Sequence, residues 1–100
     1  MYTKVIQSGS NVLVTYSGIK DRYNITVTSE KISRSLPLTG EQIGEMAKLS
    51  ADGIYQRLRD KDIDNLIEEN MPEIQSAIRA TQSAIEKMAT QGDSFINTLH

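Results

Sequence analysis

Residues 38–60, LTGEQIGEMAKLSADGIYQRLRD, hold the pattern that decides how the chain folds. They can form one amphipathic helix, or two short helices joined by a tight turn at Lys48-Leu49-Ser50. On one helix, Ile43, Ala47, Ala51, Ile54 and Leu58 share a sector at about 100° per residue. Leu49 would then point away from that sector into solvent, and Gly53 would weaken the middle by about 1 kcal/mol. On two helices, Thr39 caps the first, with Gln42 as its capping-box partner. Ser50 caps the second, and Asp52 lies in the first turn, where the positive end of the helix dipole favours it. Ile43, Ala47, Ile54 and Leu58 would close a small core, with Leu49 inserted from the turn.

The two-helix arrangement resembles the helix-turn-helix of DNA-binding proteins, in which the second helix enters the major groove. The residues that carry the resemblance are Gly44 after the first apolar anchor, Leu49-Ser50 at the turn, and the Ile54-Tyr55-x-Arg57-Leu58 ending. It spans about a fifth of the chain. It departs at Lys48, where many such motifs place a glycine for a left-handed backbone. The resemblance implies that Ser50, Ala51, Asp52, Tyr55, Gln56 and Arg59 face the groove. Gln56 and Arg59 are suited to adenine and guanine edges respectively. Arg57 and Lys48 would meet phosphates.

Composition sets the bounds. The chain has 100 residues, no cysteine, no Trp and one Phe, with 38% hydrophobic content. That length predicts one domain with a modest aliphatic core. The absence of cysteine excludes a disulfide framework and a Cys-based zinc site. No apolar run approaches the roughly 20 residues that span a bilayer, and no signal-peptide segment opens the chain, so a cytoplasmic protein is expected. The formal charge of −2 is unevenly spread. Residues 1–36 hold Lys4, Lys20, Arg22, Lys31 and Arg34 against Asp21 and Glu30, and the excess of carboxylates lies beyond them. Nucleic-acid binders usually carry a basic domain or stripe, so this balance counts against DNA.

The first third is patterned for strands. Residues 2–7, 12–16 and 23–28 read as three, divided by turn clusters at Ser8-Gly9-Ser10-Asn11 and at residues 17–21. Tyr23, Ile25 and Val27 alternate with Asn24, Thr26 and Thr28, the sign of one buried face. An antiparallel meander follows from the short connections. Residues 29–36 suit either a further extended segment or a helical turn begun by Ser29, and Pro37 is expected to end either one.

After Asp60 the apolar phase shifts, so Ile63, Leu66 and Ile67 lie on a new face, with a fresh helix start near Asp62, which can cap. That helix stops near Asn70, and Pro72 suits the first turn of the next. From there Ile74, Ile78, Thr81, Ile85, Met88, Gly92, Phe95 and Leu99 step by four and three, as in a coiled-coil seam. Gly92-Asp93-Ser94 could end the helix instead. A continuous helix would be roughly 40 Å long, too long for a 100-residue domain to cover. Ile74, Ile78, Ile85, Met88, Phe95 and Leu99 are therefore expected to form an oligomer seam, or else to fold back on residues 62–70.

Catalysis is not expected. The single histidine is His100, so no histidine-based triad can be built. No Gly-rich phosphate loop is present. Asp60, Asp62 and Asp64 mimic the start of a calcium loop, but Asn65 stands where glycine belongs and Met71 where glutamate belongs. No metal or cofactor is expected. Asn24-Ile25-Thr26 matches a glycosylation sequon by pattern only.

The expected architecture is α+β: a β-meander (1–36), a helix-turn-helix-like unit (39–60) and a helical oligomerisation segment (62–100). The expected function is that of a non-enzymatic, homo-oligomeric DNA-binding regulator. The alternative is an oligomeric inhibitor or sequestering protein, of phage or mobile-element type, that binds a partner protein or an anionic nucleotide. In that case Lys20, Arg22, Lys31 and Arg34 would hold phosphate, and Tyr23, with Tyr16, would stack on a base.

Overall fold

The computed structural model describes residues 4–17 and 22–91, with side chains through residue 87. Four antiparallel strands come first: β1 (Lys4–Ser8), β2 (Val12–Tyr16), β3 (Arg22–Thr28) and β4 (Ser33–Thr39), in sheet order β1-β2-β3-β4. Four helices follow: α1 (Gly40–Met46), α2 (Ala51–Leu58), α3 (Asp64–Glu69) and α4 (Met71–Gln91). This is the α+β arrangement expected, a meander followed by helices with a long helix last.

The strand pattern of residues 22–28 works as its alternation requires. Tyr23, Ile25 and Val27 are buried, and Arg22, Asn24, Thr26 and Thr28 point the other way. Val12 and Val14 join them from β2, and Ile43, Met46, Ile54, Leu58, Ile63, Leu66, Ile67, Ile74 and Ile78 close the same core from the helices. All four helices thus lie on one face of the sheet.

The fourth strand corrects the expected stop at Pro37. Ser29 N–H donates to Ile32 O at 2.8 Å, which turns the chain. β4 then pairs with β3 from Ser33 opposite Thr28 to Thr39 opposite Arg22. Pro37 sits within it, opposite Asn24. Proline is tolerated there because β4 is an edge strand, whose outer backbone groups have no ladder partner to lose. The other edge, β1, is irregular in its own way. Its register slips between Val5 and Gln7, a bulge that leaves Ile6 unmatched.

Residues 39–59 form two helices rather than one. Thr39 Oγ1 accepts from Gln42 N–H at 3.1 Å, and Gln42 Oε1 accepts from Thr39 N–H at 2.9 Å, a complete capping box. Ser50 caps α2 through Gly53 N–H at 3.3 Å. Between them, Leu49 N–H donates to Met46 O at 3.0 Å. Leu49 is half-buried against the core rather than sealed inside it. Gly53 makes room for it: a Cβ there would stand 3.1 Å from Leu49 Cβ.

Asp62 does not cap α3. The Asp60 carboxylate accepts from Asp62 N–H at 3.0 Å, forming a local turn, and α3 starts after Ile63 with no side-chain cap. Asn70 ends α3 and opens α4: its amide donates to Leu66 O at 2.8 Å, and its carbonyl accepts from Ile74 N–H at 2.8 Å. Pro72 occupies the first turn of α4. One turn-to-helix contact spans the fold. Glu73 Oε2 accepts from Asn11 N–H at 3.0 Å and from Val12 N–H at 2.8 Å. Gly9 lies against that carboxylate so closely that any Cβ would collide with it.

Candidate nucleic-acid interface

The corner formed by α1 and α2 is held from below by α4, so three helices support the unit. Ile54 and Leu58 turn inward, and Asp52, Gln56 and Arg59 share the opposite stripe, all exposed. Of the remaining expected groove residues, Ser50 has its hydroxyl oxygen engaged as the cap. Ala51 packs against the core. Tyr55 is half-buried at the margin of the stripe. Partial burial, with Asp64, Glu68 and Asp52 nearby, raises its phenol above the usual range, against a lowering pull from Arg59. Arg57 leaves the stripe and reaches across to Glu45 of α1 at 3.5 Å.

Two residues that local patterning does not reveal join this surface from α4. With its amide oriented to satisfy both neighbours, the Gln75 side-chain oxygen accepts from Ala51 N–H at 3.3 Å and from Arg79 Nη2 at 3.1 Å. An exposed guanidinium is thereby held beside the first turn of α2. Gly44 of α1 approaches α4 closely, with Gln82 Oε1 3.3 Å from where its Cβ would be.

Charge around the corner is mixed. Lys48, Arg59, Lys61 and Arg79 are exposed, and Asp52, Asp60, Asp62, Asp64 and Glu68 surround them. Arg59, Asp60, Lys61, Asp62 and Asp64 line an open cleft of about 550 Å³. Among the described residues, no group of three or more acidic or histidine side chains is placed to hold a metal ion.

Among the described residues, the side chains of the expected anion site are not brought together. Tyr23 is 2% exposed, in the core, stacked on Tyr16 at 4.8 Å between ring centroids, so its face is not open to a base. Arg22 starts β3, whereas Arg34 stands opposite Val27 near its far end, about 17 Å along the strand. Lys31 lies in the β3–β4 turn, at Arg34's end. Lys20 falls outside the described residues.

The expected oligomer seam also divides. Ile74 and Ile78, with Thr81 between the next turns, are fully buried by the chain's own sheet and helices, so they are not available to a second copy. Ile85 is half-buried. The Met88 side chain, Phe95 and Leu99 lie outside the described residues. Among the described residues, no helix is long and apolar enough to cross a membrane.

No family model matches the sequence, and the comparisons with curated proteins and with solved structures found no match. The likeness of residues 39–60 to a helix-turn-helix therefore stands on those residues alone.

Proposed function

We propose that the chain is a non-enzymatic, homo-oligomeric DNA-binding protein that reads duplex DNA with α2. The observation that supports this is the outward stripe of Asp52, Gln56 and Arg59 on the second helix of a capped, tightly turned pair. Arg59 would address a guanine edge and Gln56 an adenine edge. Lys48, Lys61 and Arg79 would meet phosphates on either side.

Electrostatics limits what one copy can do. With five exposed basic side chains at the corner (Lys48, Arg57, Arg59, Lys61 and Arg79), log Kobs falls with log salt no more steeply than about −4.5 per copy. The five carboxylates around them oppose the phosphate backbone further. A single copy therefore binds weakly, and useful affinity needs two copies on adjacent half-sites. Fluorescence anisotropy with a random-sequence duplex at low salt tests the proposal. Binding is expected, and on a duplex selected from that random pool Arg59→Ala should lower affinity about ten- to a hundredfold and Arg59→Ala with Gln56→Ala should abolish binding. No duplex binding at low salt would end the proposal.

The alternative is a sequestering protein that holds a partner protein or an anionic nucleotide. The nucleotide version of that alternative keeps only Tyr16 of its two expected stacking residues, because Tyr23 is in the core.

A further inference from the structure

We propose that the uncovered face of the sheet is a self-association surface, and that a second copy of this chain occupies it, sheet packed on sheet. This stands independently of the DNA proposal. Residues directly opposite one another in the ladder share a face, so the register places two rows across all four strands. One row runs Val5, Thr15, Asn24, Pro37, and the other Ser8, Leu13, Thr26, Ser35. Neither row contains a charge. Arg22, at the margin opposite Thr39, is the one charged residue placed on this face among the described residues.

A chain with 24% charged residues would ordinarily place lysine or glutamate on a wet sheet face, which keeps such faces apart. Here the charge is concentrated elsewhere. Val5, 54% exposed, is the one large hydrophobic side chain that the described residues leave open, and it lies on this face. Leu13, on the neighbouring strand, does not belong to the core cluster either. A two-fold axis through such a face brings no like charges together at its centre, as an isologous interface requires.

The edges argue for the same occupant. The bulge at Ile6 in β1 and Pro37 in β4 make both edge strands poor templates for strand addition. Association is thereby steered from open-ended edge pairing to a closed pair of faces. Four strands about 4.8 Å apart and roughly 20 Å long give about 800 Å² over both copies, the size of a weak, transient interface rather than a permanent one. Weak, reversible pairing is expected from a contact of that size.

Sedimentation of the full chain over a concentration series, without DNA, tests this. A monomer–dimer equilibrium is expected, and Thr26→Lys, at the centre of the face, should raise its dissociation constant at least tenfold. Ser35→Lys, on an exposed site of the edge strand, should act the same way, which covers failure of the first variant to fold. Mixing Ser35→Lys with Ser35→Glu should restore pairing, and Ile85→Lys on α4 should leave it unchanged. A monomer at several hundred micromolar, or a dimer broken by Ile85→Lys and indifferent to Thr26→Lys and Ser35→Lys, overturns the proposal.

Discussion

Glu73 shows how much one side chain can do away from any recognised motif. Its carboxylate takes two backbone N–H groups of the β1–β2 turn, and charge-assisted bonds of this kind are stronger than neutral ones. Glu73→Ala leaves both donors without that partner and should cost about 2 kcal/mol, less what water restores to the exposed Asn11 amide. Chemical denaturation reads this directly, and an unchanged midpoint would remove Glu73 from the account. Nothing local in the sequence marks this pairing, because its partners are backbone atoms some 60 residues away. Tyr55 carries the other residue-scale expectation. Its raised phenol pKa means that the unfolded chain ionises first, near the ordinary value of about 10. Stability should therefore be indifferent to this group below that pH and should fall as pH rises through and beyond it. Tyr55→Phe should flatten that alkaline decline, measured as denaturation midpoints between about pH 9 and pH 11.

At the scale of elements, what could be read from the chain were the features with local causes. Thr39 with Gln42, and Ser50 with Asp52, mark helix starts by chemistry that acts within three residues, and both helices begin there. Ser50→Ala should cost about 1 kcal/mol by the same logic. Gly53→Ala is a sharper test of the corner. An alanine normally gains about 1 kcal/mol over glycine in a helix, but here its Cβ meets Leu49 Cβ, which the backbone holds in place. No gain in melting temperature is expected, and a full gain would show that Leu49 does not sit over α2. Elements whose fate depends on a distant partner were less legible. Pro37 reads as a stop, yet a strand edge with nothing beyond it accommodates proline. Asp62 reads as a cap, yet the turn held by Asp60 puts Ile63, not Asp62, at the N-cap position. The apolar stripe of α4 has the same period whether a second copy or the same chain covers it, and the sheet covers Ile74 and Ile78. The candidate site was legible in its outward stripe but not in Arg79, which only the packing of α4 brings to α2.

Across the whole molecule, a single buried cluster runs from the sheet through all four helices. Unfolding should therefore be one cooperative transition by both fluorescence and circular dichroism. Ile78→Ala, which empties a fully buried position, should lower stability by about 2–5 kcal/mol without changing that cooperativity. The clamp from α4 to the first turn has a temporal side as well. During synthesis the β1–β2 hairpin is made long before Glu73, and until that residue emerges the amides of Asn11 and Val12 must stay with water. The sheet can thus be fastened only once Glu73 has emerged, so folding is expected to wait for α4 rather than to proceed strand by strand.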